Sequence, residues 1–195
     1  MQYELFQSIY DRAALRHGGP KHLEQRLARP LSSTELEQHT DDRWLAAFSQ
    51  KVFQSGISWQ VVRKKWPGFE EVFFQFDIEK MLLIHDEMWE EKAKDTRIIR
   101  HLGSLWAYLK KHGARLGGNT GPYTLRAMGK DTFLLTKDVE GYLRLHEIIS
   151  TGRDTQSALK ATQEAFNHWH KESGRSYTEI SQCIALSVNQ QLTIY

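Results

Sequence analysis

Two groups of residues have the types and spacing to do chemistry together. The first is the run Leu116-Gly117-Gly118-Asn119-Thr120-Gly121-Pro122-Tyr123-Thr124. Consecutive glycines with an asparagine allow positive φ and close backbone approach. The N–H groups that open the following helix point outward and form an anion site. A tight turn of this kind between two helices, with basic flanks, grips a phosphate without reading sequence. A plain glycine-rich connector is the alternative reading. The second group is Asp138, seventeen residues after Gly121 and just beyond the apolar run Phe133-Leu134-Leu135. A short acidic side chain before an apolar helix is commonly an N-cap. Behind a phosphate grip, it also suits a protein that holds a backbone with one element and works on the attached nucleotide with the next.

The charge pattern points the same way. The chain carries a net charge of +2, with 26 Lys and Arg against 24 Asp and Glu. From Thr96 to Lys130 there is no acid and there are seven bases: Arg97, Arg100, Lys110, Lys111, Arg115, Arg126 and Lys130. The rest of the chain then holds 19 bases against 24 acids, a balance of −5. One basic segment on an otherwise acidic protein implies a polyanion at one face, although solvated helix faces that lack acids by chance would read alike. Hydrophobic residues make up 40% of the 195, an ordinary globular balance. No apolar run reaches 18 residues, so no membrane span is expected. The first residues do not read as a signal peptide, and the single cysteine, Cys183, excludes an internal disulfide; a reducing cytoplasm is the plain expectation.

The elements that must position these residues are helical. Asp41-Asp42 precede Trp44, Leu45, Phe48 and Val52, spaced for one helix face, and the pattern breaks at Gly56. Ser58 is the expected N-cap of a helix through Trp59, Val61, Val62 and Lys65, stopped by Pro67. A short aromatic helix is expected over Phe69 to Phe76, and Asp77 and Asp86 each start another. Thr96 opens a longer helix that Gly113 can end. Pro122 suits a first helical turn, where its missing N–H is not needed. Asp138 is expected to cap a helix containing Val139, Tyr142 and Leu143. Thr155 to Trp169 and Thr178 to Val188 close the chain, while the first thirty residues are helical with a break at Gly18-Gly19-Pro20. The fold class is all-α.

Together the glycine-rich hairpin and the later aspartate resemble the helix-hairpin-helix DNA glycosylase superfamily. A second set of motifs is similar to the bacterial 3-methyladenine DNA glycosylase I group: Asp41-Asp42-Arg43-Trp44-Leu45, Val52-Phe53-Gln54-Ser55-Gly56-Ile57-Ser58-Trp59, Lys65-Trp66-Pro67-Gly68-Phe69-Glu70 and Arg97-Ile98-Ile99-Arg100. The resemblance implies one helical glycosylase-like domain over 1–195, with two closely packed lobes and the helix-hairpin-helix at about 96–130. It implies a monomer that acts on double-stranded DNA with damaged bases, flips out an alkylated purine and cuts its N-glycosidic bond, working at the bacterial nucleoid. Asp138 is then the catalytic carboxylate. Trp59, Tyr123, Phe53 and Lys51 line the base pocket. Gly56 and Ile57 fill the gap left by the flipped base. Gly117, Gly118, Asn119, Thr120, Gly121, Thr124, Arg97, Arg100, Lys111 and Arg126 hold the backbone. No organic cofactor is implied. A monovalent cation, K+ or Na+, at the carbonyls of Leu116, Gly118 and Thr120 is.

Three departures shape the expectation. Tyr123 stands where bifunctional relatives carry a lysine nucleophile, and a phenol cannot form a Schiff base, so excision without strand cleavage is expected. Lys51 stands eight residues before Trp59, where the group carries a purine-reading glutamate. An ammonium cannot accept a hydrogen bond from an exocyclic amine. The group's zinc site needs a Cys/His set near both ends, and with Cys183 alone no zinc is expected; His17, His22, His168 and His170 read as surface residues. Lys51 also suits a second function, a DNA-binding protein of this fold with lost or altered base excision. A helical protein-interaction module accounts poorly for the acid-free segment.

Overall fold

Four helix starts among the described residues are capped by short polar side chains, those of Asp77, Thr136, Thr155 and Ser176, which accept from backbone N–H groups. In the computed structural model, which describes residues 3–83, 119–153 and 155–188, ten α-helices and one 3-10 turn are formed and no strand occurs among those residues. The chain divides into two compact units, Ser33–Met128 and the pair of segments Met1–Ser32 with Gly129–Tyr195. Among the described residues no helix is long and apolar enough to cross a membrane.

The terminal unit contains α1 (Phe6–Arg16), α2 (Pro20–Arg26), α8 (Lys137–Leu145), α9 (Gln156–Ser173) and α10 (Tyr177–Ser187). Thr155 caps α9 by accepting from the Ala158 N–H, and Gly174, at φ +69°, ends it. Ser176 and Glu179 form a reciprocal capping box on α10. At α8 the expected cap is corrected. The Thr136 hydroxyl accepts from the Val139 N–H at 3.3 Å, so Thr136 is the N-cap and Asp138 is the second helical residue. Asp138 thus sits in the first turn, where the helix dipole favours a carboxylate.

The core of this unit is built around Trp169, Phe166, Leu143, Ile180 and Ile9, all fully buried. Chain ends meet at Glu4. Its carboxylate accepts two hydrogen bonds from the Arg12 guanidinium, at 2.7 and 2.9 Å, and one from the Tyr142 hydroxyl at 2.7 Å. Its carbonyl accepts from the Trp169 indole N–H at 2.9 Å. The Arg12 hydrogen bonds outweigh burial and hold the Glu4 carboxyl below its ordinary value of 4.5. Burial, then the Glu4 hydrogen bond, pushes the Tyr142 hydroxyl up. Burial likewise raises the Cys183 thiol to about 12, so it stays a protonated core residue at neutral pH.

The central unit contains α3 (Ser33–Leu36), α4 (Asp41–Gln54), α5 (Trp59–Val72), a 3-10 turn (Phe74–Phe76), α6 (Ile78–Leu82) and α7 (Thr120–Ala127). Pro67 lies inside α5 and does not stop it. An interior proline costs about 3 kcal/mol, and the packing of the next turn offsets that cost. Trp66 stacks on Phe69 with centroids 5.5 Å apart, Phe53 meets Phe69 at 4.6 Å, and Phe69 and Phe73 are buried. The expected helix over Phe69 to Phe76 is also corrected. α5 ends at Val72, and Phe74, Gln75 and Phe76 adopt left-handed φ of 54°, 60° and 62°. Left-handed backbone costs about 1–2 kcal/mol per non-glycine residue. Burial of Phe76 against Trp66 and Phe73 and a bond from Arg43 to the Gln75 carbonyl hold the turn. Arg43 is itself fixed by Asp42 at 2.7 Å and Glu70 at 3.2 Å. As expected, Asp77 caps α6 through the Lys80 N–H. The helices expected from Asp86 and Thr96 lie outside the described residues.

Two stability outcomes follow from these contacts. Gly129 has φ +85°, and a Cβ there would overlap the Leu31 side chain, whose N–H donates to the Gly129 carbonyl at 2.8 Å. Gly129→Ala should therefore cost about 1–3 kcal/mol in denaturant unfolding. Glu4 has a lowered folded value, so its contribution is complete above the ordinary 4.5 and is lost as pH falls below it. Glu4→Gln should cost about 1 kcal/mol at pH 7, and the difference from wild type should shrink in melts taken below pH 4.5.

Candidate functional site

The corner between α4 and α5 gathers the most unusual side chains of the central unit. The turn is tied by backbone bonds from Gly56 and Ile57 N–H to the Phe53 carbonyl, at 3.1 and 2.9 Å, and from the Ser55 hydroxyl to the Val52 carbonyl at 2.7 Å. Ser58 occupies the N-cap position of α5, but its hydroxyl makes no capping bond. Trp59 is therefore the first helical residue, and its ring projects with 56% of the side chain exposed. Lys51, in the last turn of α4, brings its Nζ to 5.2 Å from the Trp59 ring centroid. Arg63, one turn further along α5, brings its Cζ to 5.6 Å. Lys51 Nζ donates to Gln54 Oε1 at 3.0 Å. Burial, then the Arg63 charge, lowers the Lys51 pKa from its ordinary value of 10.5.

This placement bears directly on the expected pocket. Trp59 is not core: its ring is open to solvent, as a base-stacking residue must be. Lys51 does face it. Phe53 does not join them; it is only 4% exposed and lies in the aromatic core against Phe69. A stacking residue needs an open ring face, so Phe53 supports the corner from behind. Gly56 is exposed with open space around it, whereas Ile57 is half-buried against the core. Arg63 was not singled out in the sequence, although its spacing of four from Trp59 places both on one helix face.

The described part of the hairpin is Asn119 onward. Asn119 sits at the N-cap of α7, which packs on α4, and Thr120 and Gly121 are half-buried at its start. Tyr123 is 41% exposed. Thr124 is corrected as a backbone-gripping side chain: it is completely buried, and its hydroxyl donates to the Thr120 carbonyl at 2.9 Å. The other two carbonyls of the implied cation site, Leu116 and Gly118, lie outside the described residues, as do Gly117, Arg97, Arg100 and Lys111. Arg126 is half-buried on α7. Among the described residues no group of three or more His, Cys, Asp or Glu side chains is placed to hold a metal ion. In the other unit Asp138 is half-buried and makes no hydrogen bond or ion pair among the described residues.

Among the described residues the class is all-α, with an exposed tryptophan at a helix start. The comparisons narrow it. Residues 35–123, which coincide closely with the central unit, match the methyladenine glycosylase family model. Over 56 residues the chain is 38% identical to DNA-3-methyladenine glycosylase 1 of Escherichia coli (strain K12), a stretch covering 29% of this chain and 30% of that protein. The chain is thus similar to the 3-methyladenine glycosylase I group, and the aligned stretch spans less than a third of the curated relative's length. No solved structure matches the chain.

Because Trp59 is exposed and Phe53 is core, truncating the two rings should separate surface from scaffold. Phe53→Ala is expected to cost about 3–5 kcal/mol in denaturant unfolding. Trp59→Ala is expected to stay within about 0.5 kcal/mol of wild type.

Proposed function

We propose that the protein is a monofunctional DNA glycosylase of base-excision repair, hydrolysing the N-glycosidic bond of alkylated purines of 3-methyladenine-like size after base flipping. The observation that carries this reading is Trp59. It is an exposed ring at a helix start, inside the segment that matches the methyladenine glycosylase family, and it is backed by a rigid aromatic core. Flipping costs least for damaged or weakly stacked bases, and a solvent-exposed indole repays part of that cost by contact with the extruded ring.

Each remaining role is assigned residue by residue. In the reaction the C1′–N bond breaks with its electron pair on the purine, so that a cationic N-alkylpurine leaves neutral; water adds at C1′, and the proton of that water passes to solvent. The sugar passes through a cationic state. Asp138 is the carboxylate assigned to stabilise that charge and to orient the water, through electrostatics that need no proton transfer at the start. An aspartate in a first helical turn, with no hydrogen bond or ion pair among the described residues, is suited to that role. Tyr123 offers no amine, so no covalent link to the sugar forms and the strand stays intact. The α7 start and the basic segment around it hold phosphates, and a monovalent cation at the hairpin carbonyls would add positive charge there. Damaged double-stranded DNA is the proposed partner of a monomeric protein.

A second reading, a DNA-binding protein of this fold that no longer excises bases, is favoured by one observation: a lysine faces Trp59. The two readings separate in a base-release assay. Methylated DNA should yield free purines, identified by chromatography, with no strand nicking, and Asp138→Asn should slow release on the order of 100-fold while binding to abasic-site DNA survives. Unchanged release by Asp138→Asn would remove the catalytic assignment; no release by the wild type of any base, from methylated or hypoxanthine-containing duplexes, with binding intact, would select the second reading.

A further inference from the structure

The corner of α4 and α5 carries two cations that no carboxylate among the described residues neutralises. Lys51 and Arg63 both lie within 6 Å of the Trp59 ring centroid, at 5.2 and 5.6 Å. Neither has a carboxylate partner among the described residues. Lys51 spends one of its three N–H donors on Gln54 and keeps two among the described residues. We propose that Lys51 and Arg63 make Trp59 a platform for a neutral purine that presents an oxygen acceptor, such as hypoxanthine or an O6-alkylguanine, and select against cationic N-alkylpurines. This rests on the glycosylase reading and on Trp59 being the base-stacking residue, and it moves the preferred base from a cationic alkylpurine to a neutral one.

The physical reasons are two. A positively charged base is drawn to an indole by the negative face of the ring, but here two side-chain cations already occupy that attraction. A third positive charge beside them meets like-charge repulsion, the strongest means of rejecting a wrong partner. A neutral purine with an oxygen at position 6 instead receives a hydrogen bond from an ammonium with free donors. Such a bond between a charged donor and a neutral acceptor is stronger than a neutral one. The same group serves the chemistry. A neutral purine departs with negative charge building on the ring, whereas an N-alkylated cation departs neutral. An ammonium that holds the base at its oxygen stabilises the developing charge during C1′–N cleavage. The lowered Lys51 pKa is consistent with partial burial among cations and with a donor that gains from meeting an acceptor.

The test reads binding and turnover separately, in the full chain. Trp59-dependent fluorescence quenching, taken as the difference between wild type and Trp59→Phe, is titrated at pH 7 with inosine, which is neutral, and with 1-methyladenosine, which is a cation. Wild type should bind inosine about tenfold more tightly. Lys51→Glu should reverse the order. Lys51→Met, which keeps the packing and removes one charge, should bring the two affinities together. Equal binding in wild type, tighter binding of the cation, or no Trp59-dependent signal with either nucleoside overturns the proposal. Base release then judges the underlying function on its own. Faster release of hypoxanthine from duplexes than of 3-methyladenine from methylated DNA supports both readings. Faster release of 3-methyladenine overturns this proposal and leaves the glycosylase standing. Nucleoside discrimination with no release of any base supports the charge selection and overturns the glycosylase.

Discussion

Phe69 sits at the centre of an aromatic stack, and the central unit depends on it. Phe53 meets its edge at 4.6 Å, Trp66 lies parallel at 5.5 Å, and Phe73 follows at 6.4 Å. Phe76 closes the stack against Trp66 and Phe73. Such ring pairs contribute about 0.5–1.5 kcal/mol each beyond their buried area. That sum explains two local exceptions at once: a proline carried inside α5, and three consecutive left-handed residues immediately after it. It also fixes the angle at which α4 meets α5, because Phe53 belongs to one helix and Phe69 to the other. Everything at the corner is set by that angle, including the projection of Trp59 and the approach of Lys51 to its ring.

The terminal unit is organised around a polar knot. Glu4 brings together α1 through Arg12, α8 through Tyr142 and α9 through the Trp169 indole, using both its carboxylate and its carbonyl. Partly buried polar groups hold their place only when all their bonds are made, and here the acceptor is a charged group with strong donors. The knot joins the first residues of the chain to helices more than 130 positions later. It gives Asp138 a well-anchored helix, since α8 is fastened by Tyr142 and Leu143 within the core and capped by Thr136.

Comparing the residues one by one shows where sequence reading reached and where it stopped. The cap at Asp77, the break at Gly18-Gly19 and the all-α class were legible, because they depend on local hydrogen bonding and backbone freedom. Trp59 was found through the motif around it, and Lys51 through its departure from that motif. Phe53 and Thr124 were set on the functional side although both are buried. Each lies in a periodic helix near functional residues, and periodicity alone does not say which neighbouring element covers a given face. Asp138 lost the capping role to Thr136 for a simpler reason: both residue types cap well, and the extended backbone at Thr136 decided between them. Arg63 went unnoticed because a lone arginine on a polar helix face is ordinary until its partner is known.

By itself, the sequence determined the helical class, the separation of a basic segment from an acidic remainder, a phenol at Tyr123 and an ammonium at Lys51. Tertiary structure decided what that ammonium faces. Lys51 ends one helix, and Trp59 and Arg63 begin the next; only the packing of Phe53 against Phe69 brings all three within 6 Å. The physical reason is that a side chain's charge and hydrogen-bonding capacity are properties of its type, whereas the group that receives them depends on which surfaces the core has brought together.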